Sequence, residues 1–524
     1  MPLAAQNAGW DAKFRAIPDA KNIGEYMKRM SARPHHLGSP YDKDNAEWIL
    51  SRFKEWGWDA HIESYDVLFP TPKERVVEMI APTAFKLKLE EPAVAVDPTS
   101  GQKAEQLPSF NAYSIDGDVT GPIVYVNYGR PQDYDDLDRR GISVKGAIVI
   151  ARYGNSWRGI KPKVAAEHGA IGCLIYSDPM DDGYFDRRRV SGRSGAQRQR
   201  RPAGKRDGHA HVSGRSADAR CRRNGRREAS RHQGRDDADE DSRAAHLVCG
   251  CAAAARGAAR PRRPRAVARR AADHLSRRPR PGACAPEARI RLEPRADLRR
   301  HRADAGSTYP DEWVIRGNHH DAWVNGAGDP GSGMSVVLEE ARALGELAKQ
   351  GWRPKRTLIY AAWDGEEQAL LGSTEWVEDH DKDLREHAVA YINSDGTQRG
   401  FFNPSGSHSL EQLVNSVARD VEDPETKMSV WKRSQARRIA TGSREERTEA
   451  RTRSDLRIAA LGSGSDYSSF LQHNGVPSLD LRFGGLDNND GIYHSIYDDY
   501  YYYTKFLDTD FAYAAGRWRR SPAR

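Results

Sequence analysis

Between Arg187 and about Ala305 the chain has roughly thirty arginines, one lysine (Lys205) and no Phe, Trp or Tyr, a stretch too poor in apolar surface to repay the entropy of ordering itself. A folded protein must therefore be assembled from what lies on either side. The stretch also distorts the bulk figures. Net charge is +8 with a sequence pI near 9.1, which as an average would suggest nucleic acid or a membrane surface as partner, yet the chain outside the stretch is acidic. Four of the five cysteines (Cys221, Cys249, Cys251, Cys284) lie inside it. Only Cys173 remains elsewhere, so no disulfide framework is implied.

A basic arm on phosphates would account for the arginines. The vocabulary of Arg, Ala, Gly, Pro, Ser and Asp has no aromatic residue to stack on bases, however, and it starts and stops abruptly between well-patterned halves. GC-rich coding DNA read out of frame produces such a vocabulary. Residues 187–305 are therefore read as frameshifted or disordered, and no nucleic-acid partner is expected. The ending AAGRWRRSPAR, residues 514–524, is read as a second slip. No apolar run approaches the roughly 20 residues of a membrane span, and the start MPLAAQNAGWDAKF has no apolar core of a signal peptide. The compartment stays open.

The flanking halves read as α/β. Two helices are expected from about Asn22 to Trp56, the second placing Ala46, Ile49, Leu50 and Phe53 on one face. Asp59 to Phe69 and Arg75 to Ile80 alternate like strands, and Gly121 to Tyr128 and Gly146 to Tyr153 are short β-rich runs. A helix from Lys161 to His168 leads to a strand at Ile171 to Tyr176. After the gap come a strand at Trp313 to Ile315, a helix from Gly331 to Ala348, a strand from Arg356 to Trp363, a helix from Glu367 to Glu378 and a strand from Val389 to Asn393. Further helices are expected at Leu410 to Val421 and Asp466 to His473. Such alternation predicts a mostly parallel central sheet covered by helices, with ligands beyond the carboxyl ends of its strands. The expected division is 1–89 and 306–513 for this domain, 90–186 for a β-rich insert, 187–305 for the arginine-rich stretch and 514–524 for an aberrant tail.

Polar clusters fall at those strand ends. Gly317-Asn318-His319-His320-Asp321 follows a strand, and Gly328-Asp329-Pro330-Gly331-Ser332-Gly333 opens a helix. Imidazole and carboxylate are the usual nitrogen and oxygen donors for Zn²⁺. Asp321 is spaced to take the proton from the other ring nitrogen of His319. Alone, this His-x-Asp equally describes a hydrogen-bonded surface loop. Asp364-Gly365-Glu366-Glu367 then sets two carboxylates side by side, a costly pair when buried unless a cation is present. One could ligate a metal while the other acts as general base; a helix-start acidic pair on the macrodipole is the simpler alternative. Asp395 and His494 end later segments.

The order His-x-Asp, Gly-x-Asp-Pro-x-Ser-Gly, Asp-x-Glu-Glu, Asn-x-Asp and Tyr-His-Ser, with Gly351-Trp352-Arg353-Pro354 and Leu371-Gly372-Ser373-Thr374-Glu375-Trp376, resembles the co-catalytic zinc peptidases of the glutamate carboxypeptidase II and transferrin receptor group, from Tyr309 to about Tyr513. The resemblance implies a zinc peptidase domain carrying a protease-associated insert at 90–186, truncated by the arginine-rich stretch. It implies two Zn²⁺, one held by His319 and Asp395, the other by Glu367 and His494, with Asp329 bridging them and a shared hydroxide attacking the peptide bond. Glu366 would be the general base and Asp321 its catalytic companion. It also implies a substrate pocket with Gly464, Tyr493 and Arg152, the last gripping a substrate carboxylate, in a metallopeptidase of carboxypeptidase type. Ser465 stands where the mammalian carboxypeptidase has asparagine. Glu375 and Glu378 match residues that help hold a structural Ca²⁺, with partners falling in the arginine-rich stretch. The group is homodimeric through a C-terminal domain expected after Tyr513 and missing there. Catalytically silent, receptor-like members share the fold; with every ligand position filled, an active enzyme acting on peptides is the reading favoured here.

Overall fold

In the computed structural model the described residues are 3–178, 181, 247–250, 306–486 and 492–516. Apart from 247–250, the segment assigned above to a frameshifted or disordered stretch lies outside them, as do 182–186 and 517–524.

The strands, in chain order, are β1 (Glu78–Met79), β2 (Phe85–Lys86), β3 (Ile123–Tyr125), β4 (Ile148–Arg152), β5 (Gly172–Tyr176), β6 (Leu247–Gly250), β7 (Tyr309–His319), β8 (Arg356–Trp363), β9 (Ala388–Asn393), β10 (Gly400–Gly406) and β11 (Ser478–Gly485). The larger sheet has the order β10-β11-β9-β7-β8 and is parallel except at the β10–β11 edge. This bears out the α/β expectation of a mostly parallel sheet. From β7 the chain crosses through the helix Ser332–Lys349 to β8 on one side, then through Leu371–Asp379 to β9 on the other. The direction of winding thus reverses at β7, which opens a crevice beyond its carboxyl end.

The helix Ser332–Lys349 is the centre of the packing. Met334, Val337, Leu338 and Ala341 pack with Leu358, Tyr360 and Ala362 of β8 and with Met30, Ile49, Phe53 and Trp56 of two N-terminal helices, Ala20–Met30 and Pro40–Trp56. The second of these starts with Ser39, whose hydroxyl accepts from Asp42 N at 3.2 Å, and with Pro40 in the first turn. It stops at Gly57, which takes the left-handed conformation (φ 95°) that glycine tolerates best. Its buried face runs through Tyr41, Asn45, Ile49, Phe53 and Trp56, so Ala46 and Leu50 lie at its margin rather than on it.

Other expectations need correction. Asp59 to Phe69 forms no strand, and of Arg75 to Ile80 only Glu78–Met79 pairs, with Phe85–Lys86, both exposed; alternation without a partner edge gives the backbone nothing to bond to. The expected helix Glu367 to Glu378 is two pieces, Glu366–Ala369 and Leu371–Asp379, broken at Leu370 (φ 58°). The strand expected at Trp313 to Ile315 extends to His319 because it is paired on both sides. Strands β10 and β11 and the helices Leu3–Arg15, Pro131–Arg139, Val430–Thr441 and Arg444–Thr452 go beyond the sequence expectations.

The insert is a second sheet, β3-β4-β5-β6, parallel through β5 and closed by antiparallel β6. Four residues inside the arginine-rich stretch, its apolar Leu-Val-Cys-Gly, thus supply an edge strand. Helices Pro131–Arg139 and Ile160–Glu167 pack on this sheet through Tyr134, Val164 and Ala165 against Val149, Ala151 and Ile175. At the other end, Ala514 is buried in a cluster with Ile23 and Tyr503, so the beginning of the segment read as an aberrant tail belongs to the core.

A Cβ at Gly333 would overlap the carbonyl oxygens of Ser394 and Asp395 beyond β9. Gly333→Ala should therefore destabilise by about 1–3 kcal/mol or more through overpacking, read as a lower thermal midpoint; an unchanged midpoint would contradict this packing.

Candidate metal centre

Six ionisable side chains converge on the crevice at the carboxyl end of β7. His319, the last residue of β7, is fully buried, with Nε2 2.8 Å from Asp395 Oδ1, 3.4 Å from Asp329 Oδ1 and 3.8 Å from Glu366 Oε2. His494 faces it across Asp329, with Nε2 2.7 Å from Glu367 Oε2 and 3.7 Å from Asp329 Oδ2. Two sets of donor atoms result, His319–Asp329–Asp395 and Asp329–Glu367–His494, each within 4.8 Å. Asp329 belongs to both. These six positions are the ones the sequence reading singled out as ligands and base.

Backbone geometry delivers each group. Asp329 sits in the irregular turn Ala327–Gly331 with non-helical φ and ψ, and its N–H and that of Gly328 both donate to the Asp498 carboxylate, at 3.0 and 2.6 Å. Gly365 (φ 70°) turns the chain from β8 into the helix carrying Glu366 and Glu367. Asn318, fully buried, donates to the carbonyls of Asp395 (3.2 Å) and Pro330 (3.3 Å), tying three donor-bearing segments together. Trp323 donates its backbone N–H to Glu367 Oε1 at 3.0 Å and stacks its ring on His494 at 5.4 Å.

Asp321 works differently from the expectation. Its main-chain carbonyl lies 3.0 Å from His319 Nδ1, while its carboxylate is 3.6 Å away. That carboxylate accepts the N–H groups of Glu366 (3.0 Å) and Glu367 (3.3 Å). It thus orients both halves of the site.

The electrostatics are those of a buried excess of anions. Burial alone would lower the basicity of His319, but Glu366 and bonds to Asp321, Asp329 and Asp395 raise it well above its ordinary value. Burial likewise opposes His494, which Glu367 and Asp329 push up to about 8. Burial raises Glu366 well above a normal carboxyl and also raises Glu367 and Asp395. For Asp329 burial is outweighed by bonds to both imidazoles, which hold it far below the carboxylate range. Four carboxylates and two imidazoles, with nitrogen and oxygen donors only, fit two divalent cations of the zinc type, which would neutralise charge that is otherwise costly to bury.

The substrate-side residues are arranged less as expected. Arg152 is paired with Asp178 (3.2 Å) and Asp181 (2.7 Å) and lies over Tyr128. The arginine that reaches the site is Arg158, six residues on: Nη2 donates to Tyr493 Oη at 2.8 Å and Nη1 lies 3.1 Å from His494 Nδ1. The signal available was Trp157-Arg158-Gly159, an aromatic and a cation in a loop before a helix. Gly464 (φ +117°) abuts the Trp157 ring, which a Cβ would meet at 3.1 Å. The Ser465 hydroxyl is turned inward, accepting from Asn393 at 2.9 Å. Glu375 and Glu378 share the helix Leu371–Asp379 and belong to none of the metal-competent clusters among the described residues; the acid–histidine cluster at the end of that helix is Glu63, Asp379 and His380. Asn318, Arg158 and Asp498 were not identified from sequence.

Residues 302–514 match the model of peptidase family M28, and 119–209 match the PA domain. The "Probable glutamate carboxypeptidase LAMP1" of Arabidopsis thaliana is 33% identical, over 95% of this chain and 70% of that protein. The "Probable glutamate carboxypeptidase" of Arthroderma benhamiae is 32% identical, over 89% of this chain and 64% of that one. "Aminopeptidase NAALADL1" of Mus musculus is 30% identical, over 94% and 69% respectively. The chain thus spans about two thirds of the length of these curated relatives.

A metal bound at the second donor set must displace the proton of His494, held to about 8. Chelator-stripped protein titrated with Co²⁺ or Zn²⁺ should bind more tightly as pH rises from 6 to 8, by about tenfold per unit for each proton released. Affinity flat across that range would contradict metal entry at His494.

Proposed function

Because the chain belongs to peptidase family M28, we propose that it is a zinc-dependent exopeptidase of glutamate carboxypeptidase type, with two Zn²⁺ at the His–carboxylate centre. The observation that carries the proposal is the shared placement of Asp329 between two imidazole–carboxylate sets, with Glu366 beside them. His319 and Asp395 would hold one ion and Glu367 and His494 the other, with Asp329 common to both. The chemistry that zinc supplies when bound is acidification of water and polarisation of the scissile carbonyl.

Glu366 takes the role of general base. Its side chain is 10% exposed, and burial makes its carboxylate more avid for a proton than an ordinary glutamate, which suits accepting one from water and returning it to the leaving amine. Asp321 holds it there through the backbone bond at 3.0 Å. Asp329 keeps its charge at any ordinary pH, since both imidazoles stabilise it.

Arg158 and Tyr493 form the wall next to His494, and a guanidinium whose Nε has no hydrogen-bond partner among the described residues suits a carboxylate. We therefore assign recognition of a substrate carboxylate to Arg158 in place of Arg152, whose guanidinium Asp178 and Asp181 engage. The name of the mouse relative keeps aminopeptidase action as the second reading; an N-acetylated peptide with a free C-terminus is hydrolysed only under the first. Glu375 and Glu378, three residues apart on one helix, would supply two carboxylates to a structural Ca²⁺.

In the zinc-loaded protein, Glu366→Gln should lower kcat by about 10²–10⁴-fold while zinc content stays at the wild-type level. A variant that keeps its activity removes Glu366 as base. Wild-type protein that binds no zinc and cleaves no peptide would point to a silent, receptor-like member.

A further inference from the structure

Lys161 is among the largest side chains that are fully buried, at 0% exposure. Burying an ammonium is expensive unless its donors are satisfied, and here all three have acceptors. Nζ donates to the carbonyl of Tyr128 at 2.7 Å, to the carbonyl of Gly154 at 2.9 Å and to the hydroxyl of Ser156 at 3.2 Å. Two of the three lie in the short loop that joins β4 to the helix Ile160–Glu167. That loop contains two successive residues with positive φ, Gly154 (91°) and Asn155 (56°), the residue types that adopt this turn most readily. It ends in Arg158, whose guanidinium reaches Tyr493 and His494 of the other sheet's domain.

We propose that Lys161 is the positioning residue for Arg158: its buried ammonium pins the loop 154–158 so that the guanidinium is aimed at Tyr493 and a substrate carboxylate. The inference rests on Arg158 as carboxylate-binding group. A leucine or methionine would fill the same space without holding Gly154 or Ser156. Burial brings the Lys161 ammonium down to about 8, offset in part by Cys173 on β5 and Asp133 on the helix Pro131–Arg139, and reinforced by Arg130 before that helix. The neutral amine has two N–H donors instead of three, so one acceptor is released as pH rises through this range, and the loop loosens on the alkaline side.

The test uses the zinc-loaded full chain with an N-acetylated dipeptide ending in glutamate and with its C-terminal amide. Arg158→Leu and Lys161→Met should each raise KM for the free acid by about tenfold or more, and Lys161→Met should leave kcat and turnover of the amide little changed. The double variant should be no worse than Arg158→Leu alone, because the two act through one contact. KM of the wild type for the free acid should rise from pH 7 to 9, and Lys161→Met should remove that rise. Hydrogen exchange at 154–158 should be faster in Lys161→Met. Protection unchanged there, or additive effects in the double variant, overturns the inference. If Arg158→Leu leaves KM for the free acid unchanged, the carboxylate reading fails instead, and exchange alone decides whether Lys161 holds the loop. Should Lys161→Met not fold, Ser156→Ala, which removes one acceptor, is read in the same way.

Discussion

Four carboxylates and two imidazoles occupy one crevice, and their mutual repulsion and desolvation are the costs the fold must offset. The structure meets them with directional bonds to the backbone around the site. Asp321 fixes the amides of Glu366 and Glu367, Asp498 fixes those of Gly328 and Asp329, and the Trp323 amide fixes Glu367. Next to the site, His320 Nδ1 lies 3.1 Å from Asp42, so the N-terminal helix is joined to the same turn. None of these bonds by itself cancels the anionic excess. They hold the donors close enough for divalent cations to do so.

Position follows from topology. The winding reverses at β7, and the ends of β7, β8 and β9 therefore open on one crevice. The helix Ser332–Lys349, packed between β8 and two N-terminal helices, presses its glycine-containing start against the carbonyls of Ser394 and Asp395. Close packing there sets the spacing of Asp329 and Asp395, since a rigid core transmits small displacements.

The smaller sheet's side of the molecule adds a cation beside the histidine–carboxylate cluster. Arg158 crosses from the loop after β4 to Tyr493 and His494, and Trp157 covers Gly464. Residues from two distant parts of the chain thus meet at one crevice.

Sequence picked out the six side chains that converge in the crevice and three of the five strands of the larger sheet. Motifs at strand and helix ends name their residues directly, and β8, bounded by charged and glycine-rich turns, was legible to the residue as Arg356–Trp363. It also showed that the side chains gathered there offer nitrogen and oxygen donors only. Tertiary structure alone decided which arginine faces the site. Arg152 lies in the better-matching strand, yet Asp178 and Asp181 neutralise it, whereas Arg158 reaches Tyr493 and His494 from the loop in which Lys161 bonds Gly154 and Ser156. Tertiary structure also decided the part played by Asp321, the break at Leu370 and the inward turn of Ser465. Each of these is settled by contacts between segments far apart in the chain, and local spacing carries no record of such distances.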